Sequence, residues 1–163
     1  MAYQFKNNYF IVPQAVAVNS ATQLLPLGTR IKGTDPTYGE GEFIYLKGVA
    51  STVVGSCVVY NPDDWSTALI AANDIGLVAF AMSACVANEY GWYQIFGKGV
   101  AKVAGNVSDN ALVYNAASGT IDDAVVAGDR IKHAKFASAH DTPTTGLAEI
   151  EIMYPFVDDA SAA

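Results

Sequence analysis

The chain has 163 residues, of which 52% are hydrophobic and 15% are charged, and its formal net charge at pH 7 is −7. A chain this acidic lacks the positive surface that holds a nucleic-acid backbone, so we expect no nucleic-acid partner. No apolar run reaches the length that a membrane span requires, so we expect no membrane partner. The charged share lies well below the ~25% of ordinary domains, which favours a protein that buries part of its surface against other subunits.

One domain is expected from this length, with an arm before it and a short tail after it. We assign residues 1–23 to an extended N-terminal arm, 24–157 to a β-domain and 158–163 to a flexible C-terminal tail. The arm has no core of its own and must dock on something to become ordered. It either packs on its own domain or reaches a neighbouring subunit, through the aromatic residues Tyr3, Phe5, Tyr9 and Phe10.

A short pattern of an apolar residue, a tight turn and an alternating strand recurs along the chain. It is clearest at 27–32 (LGTRIK) and 127–132 (AGDRIK), which share Gly, Arg, Ile and Lys in register. A looser copy lies at 54–60, and another at 107–114 has Asp and Asn in place of Gly. Gly, Asn and Asp tolerate the left-handed backbone angles that such turns often need. The spacing is too irregular for a solenoid and favours a meander or barrel.

The segments between these copies are predicted from composition and alternation. Residues 34–42 are typical of a loop, and 43–50 follow as a strand. Residues 66–73 are open to two interpretations, a helical turn or an irregular crossing segment.

The end of the domain is predicted to be a strand from Leu147 to Tyr154, terminated by Pro155. Its side chains alternate, so one face must be buried. That face is formed by Ala148, Ile150, Ile152 and Tyr154.

A stretch with little charge, Gly76–Gly105, lies at the centre of the chain and is predicted to form a hairpin. An apolar run leads to a break at Asn88–Gly91, and a run rich in aromatic and β-branched residues follows. We predict that Glu89–Trp92 forms an exposed aromatic tip or a subunit contact, with Tyr90 and Trp92 as its interface residues.

Candidate reactive groups are few. His133 and His140 do not have metal-ligand spacing, and neither Cys57 nor Cys85 has a CxxC partner. Both cysteines lie in apolar strand-like runs, so we expect buried free thiols in a protein made in a reducing cytoplasm. We therefore expect no metal, no cofactor and no enzymatic activity.

Paired acids and glycine-rich turns offer weaker alternatives. The pairs Asp63-Asp64, Asp122-Asp123 and Asp158-Asp159 are typical of solvated turns and lack EF-hand spacing. The Gly97-Lys98-Gly99 sequence is too short to cradle phosphate and does not open a helix. Trp92 and Tyr93 are candidates for a sugar-stacking platform, although such pairs more often fill cores or interfaces.

Several of these segments together resemble a family of small structural proteins of tailed-bacteriophage virions, the head decoration or cement proteins. The resemblance covers residues 28–157 and is carried by GEFIYLKGVA, VVGSCVVY, the stretch 76–103 with YGWYQI at its centre, VVAGDRI and the closing YPF. It implies a β-rich protein that attaches to the outer face of a capsid, often as a trimer, and ties the capsomers together.

These inferences combine into one prediction for fold and function. The chain is expected to be all-β, a single compact β-barrel or sandwich-like domain of about eight short strands. It is expected to bind the major capsid protein on the outer surface of the virion and stabilise the shell, as a homo-oligomer with a trimer favoured. The alternatives are a tail, baseplate or minor capsid component, or a β-barrel carbohydrate-binding module on the virion.

Overall fold

The computed structural model describes residues 3–5 and 12–158 and shows eleven strands and no helix in them. All-β architecture is therefore confirmed, with more strands than predicted. The strands are β1 Gln4–Phe5, β2 Arg30–Asp35, β3 Gly39–Lys47, β4 Cys57–Tyr60, β5 Thr67–Leu69, β6 Gly76–Ala81, β7 Tyr90–Lys102, β8 Leu112–Asn115, β9 Ile121–Asp122, β10 Arg130–Phe136 and β11 Leu147–Val157.

The strands form one antiparallel sheet in the order β1-β2-β3-β7-β6-β11-β10-β8-β9, with β4 and β5 attached beside β6. The sheet does not close into a barrel, so that form of the prediction is wrong. Many consecutive strands are adjacent antiparallel partners, which a short connection can join, whereas β1 and β2 are separated by residues 6–29.

Strand β7 is the centre of the sheet. Its first half pairs with β3 and, at two positions, with β6, and its second half pairs with β11 from Phe96 to Lys102. The predicted central hairpin is confirmed, because β6 and β7 are antiparallel neighbours joined by residues 82–89. Most of the hydrogen-bonding partners of β7, however, lie outside that hairpin.

The recurring turn is a real structural unit. Gly28, Gly55, Asn110 and Gly128 have φ values of 80°, 82°, 64° and 85°, and each lies two residues before a strand. In each turn the next amide donates to the carbonyl three residues earlier, as from Thr29 N to Pro26 O at 3.2 Å. A positive φ at the third position is typical of a type II turn, which Gly or Asn adopts at the least steric cost. Asn88 makes the same turn before β7.

Residues 66–73 contain a short strand, β5, in place of the helical turn or irregular crossing segment. Thr67, Ala68 and Leu69 pair with β4. The apolar stretch is too short to bury a helical face, and pairing with β4 satisfies its backbone groups instead.

The predicted end of the last strand is also wrong. Strand β11 runs through Pro155 to Val157, and Tyr154 is exposed, whereas Pro155 and Val157 are buried. The cause is a bulge: Lys132 and Ala134 of β10 oppose Phe156 and Ile152 of β11, so that strand carries extra residues at this point. A bulge shifts the alternation and accommodates a proline that cannot donate to the ladder.

The core consists of three clusters that meet on the central strands. Phe43, Tyr45 and Trp92 lie in one cluster, and their sequence neighbours Ile44 and Tyr93 lie in another. Because successive side chains point to opposite faces, β3 and β7 are covered on both faces. The third cluster, on β6, β10 and β11, includes Phe80, Phe136, Ile150 and Ile152.

Candidate functional site

The two cysteines are free and buried, as predicted. Burial raises the pKa of the Cys57 thiol well above its ordinary value, and it raises that of Cys85 to about 11. A thiol with so high a pKa carries almost no thiolate at neutral pH, and the thiolate is the nucleophile and metal ligand.

The two histidines have separate partners and do not contact each other in the structure. His133 lies on β10, where its Nδ1 is 3.1 Å from the carbonyl oxygen of Met153, and His140 lies in a loop with Nε2 4.0 Å from Asp141. Within residues 3–5 and 12–158, no three His, Cys, Asp or Glu residues come together as metal ligands would.

In two of the acidic pairs, Asp63-Asp64 and Asp122-Asp123, the carboxylates accept hydrogen bonds at turns. Asp64 Oδ1 accepts hydrogen bonds from the amide and hydroxyl of Ser66 at 3.0 and 2.7 Å, and these bonds lower its pKa. Asp122 Oδ1 accepts from Ala124 N at 3.1 Å, and Asp123 Oδ2 accepts from Ser108 N at 2.9 Å. Asp64 and Asp122 therefore act as local turn acceptors, whereas Asp123 joins its turn to a segment earlier in the chain.

The predicted exposed tip at Tyr90 and Trp92 is not formed. Trp92 is fully buried, its indole N–H donates to Gln14 O at 3.0 Å, and its ring packs on Tyr45 with centroids 5.1 Å apart. Tyr90 is half-buried and bonds through its backbone to Ser20. The physical reason is that residues 12–20 cover this end of β7. Trp92 and Tyr93, both fully buried, cannot form a sugar platform either.

The described part of the arm packs on its own domain. Tyr3 is almost fully buried against Phe43, with ring centroids 4.9 Å apart, and its hydroxyl donates to Lys98 O. Phe5 belongs to β1 and pairs with Gly33. Tyr9 and Phe10, the other two arm residues predicted at an interface, lie outside the described residues.

Two turns carry exposed valine pairs that were not predicted from the sequence. Val53 and Val54 are each 42% exposed at the start of the turn Val53–Ser56, and Val125 and Val126 are 81% and 47% exposed at the turn Val126–Asp129. Both turns need Gly at the third position, but nothing in their geometry requires valine at the first two positions of one turn, or at the first position of the other and the residue before it. We call these two segments the valine turns.

Two bulges on neighbouring strands shape another surface. In β7, Gln94 opposes Phe43 while Phe96 opposes Glu42, so one extra residue is inserted beside β3. The buried Gln94 amide Nε2 lies 3.1 Å from Phe96 O and 3.0 Å from Lys98 O, and these bonds fix the bulge. The second bulge is the one at Tyr154 in β11.

A small cavity of about 170 Å³ lies between these bulges. The Tyr154 hydroxyl donates to Glu42 Oε2 at 2.7 Å, and the rings of Phe96 and Tyr154 lie 5.5 Å apart at an angle of 38°. We call it the bulge pocket, and its lining residues are Lys32, Glu40, Gly41, Glu42, Phe96 and Tyr154.

Comparisons with known proteins give little further information. No protein-family model and no curated protein matches the chain. The structure is similar to the one described as "The crystal structure of head fiber gp8.5 N base in bacteriophage phi29", with a TM-score of 0.46 and 8% sequence identity over 71% of this chain and 97% of that one. A similarity at this level carries no argument about function. Separately, none of the described residues forms a helix long and apolar enough to cross a membrane.

Proposed function

We propose that the chain is a non-enzymatic structural protein of a phage virion that binds the outer capsid surface and stabilises it, as a decoration or cement protein. Its partner is the major capsid protein. The proposal rests on the resemblance of residues 28–157 to decoration proteins and on one observation in the structure, the valine turns. The exposed valines are the surface that a partner would cover.

Each valine turn exposes two valine side chains that are neighbours in sequence. A fully buried valine contributes about 1.5–3 kcal/mol relative to an exposed one, so a half-exposed valine still gains about 1 kcal/mol when a partner covers it. Such a contact is weak for one molecule. It becomes sufficient when several copies are linked in an oligomer that engages a repetitive surface.

The charge of the chain supports an outward position on the shell. With a net charge of −7, the protein is repelled by packaged nucleic acid and gains nothing from facing it. A homotrimer is the assembly favoured by the resemblance. Sedimentation equilibrium on the purified chain measures it directly, with a mass three times 17.2 kDa expected.

The contact surface is tested by charge substitution on the valine turns. Val54→Asp and Val125→Asp place a carboxylate in the contact, and each is expected to reduce binding to purified expanded capsids at least tenfold in a co-sedimentation assay. The matched control is Thr145→Asp, because Thr145 is exposed at the second position of the turn Thr144–Leu147, as Val54 is in its own turn.

Capsid binding that is unchanged in both valine variants contradicts this assignment, as does an equal loss in Thr145→Asp. Wild-type protein that ignores expanded shells and labels only tails in immuno-electron microscopy contradicts the decoration role itself.

A further inference from the structure

Tyr154 has a strained backbone that displays its side chain. Its φ is 51°, in the left-handed region, where a residue other than Gly costs about 1–2 kcal/mol. Strict alternation would bury the ring, but the bulge turns it outward, and the side chain is 45% exposed. Strain of this kind persists where the surrounding structure holds it, and it is frequent at ligand-binding sites.

The ring is held in place on one side and open on the other. Phe96 packs against it, and Glu42 accepts its hydroxyl proton at 2.7 Å. The Glu42 bond is the first cause of the raised pKa of the Tyr154 phenol, because only the protonated hydroxyl can donate to the carboxylate. Phe96 is in turn fixed by the Gln94 amide, which bonds to its carbonyl.

The pocket beside these rings combines apolar and polar walls. Lys32 and Glu40 are exposed on the paired strands β2 and β3, and Gly41 contributes backbone to the lining, since a side chain there would point to the opposite face, toward Tyr3 and Phe43. The volume of about 170 Å³ is well below that of a site for a drug-sized ligand. The occupant must therefore be small, or be the end group of something larger.

We propose that the bulge pocket binds a single sugar residue, as the end group of a glycan. Aromatic faces pack against the C–H surface of a pyranose ring, and carboxylate, ammonium and phenol groups around them match its hydroxyls. Two glutamates disfavour a phosphorylated ligand. Strand β3 pairs with β2 along Gly39–Ile44 and with β7 from Glu42 onward, and beyond that point the backbone of Gly97 lies close against Glu40 and Gly41. This part of β3 therefore does not offer the open edge that an added peptide strand needs.

The test uses saturation-transfer-difference NMR on the isolated wild-type protein with the methyl glycosides of glucose, galactose, mannose and N-acetylglucosamine. At least one glycoside is expected to receive saturation, with a Kd in the millimolar range or below. Tyr154→Ala is expected to weaken that binding at least tenfold, and Tyr154→Phe less. Lys32→Ala is also expected to weaken it, and because Lys32 is exposed, this variant keeps the fold intact.

The matched control is Met153→Ala, because Met153 is exposed, adjoins Tyr154 and does not line the pocket. It is expected to bind as the wild type does. The proposal is overturned if no glycoside receives saturation from the wild type, or if Tyr154→Ala and Lys32→Ala both bind normally. An equal loss in Met153→Ala also overturns it. Because the assay contains no capsid, its outcome is independent of the decoration role.

Discussion

At the scale of single residues, both glycines of the Gly97-Lys98-Gly99 sequence are required because other atoms leave no room for a side chain, backbone atoms at Gly97 and the Gln94 side chain at Gly99. A Cβ on Gly97 would lie 2.4 Å from Glu40 O, and one on Gly99 would lie 2.2 Å from Gln94 Oε1. Gly97 also has a φ of 101°. The glycine pattern that was considered as a phosphate loop thus lies in β7 directly after the bulge, where its lack of side chains allows close packing.

Gly97→Ala is expected to lower the free energy of unfolding by at least about 2 kcal/mol, because it combines an unfavourable φ with a clash against backbone. The measurement is urea unfolding followed by circular dichroism. Gly39→Ala separates the two causes, since Gly39 has a φ of 78° but a Cβ added there would meet nothing within 4 Å. Gly39→Ala should lower the free energy of unfolding by only about 1 kcal/mol. Equal losses in the two variants would show that the contact of Gly97 with Glu40 is unimportant.

Gln14 is the residue that fastens the first segment to the core. It is buried, its Oε1 accepts the Tyr45 hydroxyl at 2.7 Å, and its Nε2 donates to Tyr90 O at 2.8 Å. Gln14→Ala is expected to lower the free energy of unfolding by about 2–3 kcal/mol, because it leaves buried polar groups without their partner.

The free energy of unfolding of Gln14→Ala in urea is compared with that of Gln23→Ala. Because Gln23 is exposed, its replacement should lower the free energy of unfolding by no more than about 0.5 kcal/mol. Adding Tyr45→Phe to Gln14→Ala removes one orphaned hydroxyl, so the double variant should lose less than the sum of the single variants. Strict additivity would argue against the shared hydrogen bond.

At the scale of strands and turns, the sequence predicts the structure well where the conformation depends only on nearby residues. Gly28 and Gly128 were predictable because a type II turn needs a residue that tolerates positive φ. The exposure of Tyr154 and the burial of Trp92 could not be predicted, because each depends on partners distant in sequence. A register shift against β10 exposes Tyr154, and residues 12–20 bury Trp92. The bulge pocket was missed for the same reason, since it joins three segments distant in sequence.

The tip of the β2–β3 hairpin is tied to the other strands by Tyr38. Its hydroxyl donates to Glu149 Oε1 at 3.0 Å, and Glu149 also pairs with Lys98 at 2.7 Å. Burial, and then the bond and charge of Glu149, raise the pKa of Tyr38 to about 12.

A folded-state pKa above the unfolded value of about 10 means that the protonated phenol stabilises the fold. This contribution is complete below about pH 10 and is lost as the pH rises from 10 to 12. Tyr38→Phe should therefore show a smaller fall in unfolding free energy over that interval than the wild type, in urea titrations at pH 9, 10 and 11. Glu149→Gln should reduce the fall as well. Identical pH profiles for the wild type and both variants would contradict the assigned tie.

At the scale of the whole molecule, the described residues form an all-β unit whose first segment contributes to its own core. Tyr3 packs on Phe43 and Gln14 reaches Trp92, so the arm is at least partly internal to the domain. An arm that served only to reach a neighbouring subunit could be removed, by deleting residues 1–12, with a loss of capsid attachment and no loss of stability. The buried position of Tyr3 now predicts that the deletion also lowers stability, by about the 3–5 kcal/mol of a lost large aromatic.

The valine turns and the low charge give the molecule a surface suited to a partner, and a decoration protein is the role that we propose for it. The most direct measurement titrates the purified protein onto expanded capsids that lack it and counts bound copies by cryo-electron microscopy. The proposal predicts saturation at a fixed number of copies set by the capsid symmetry, together with a higher temperature of shell disruption. Absence of saturable binding, or density confined to tails, would contradict it.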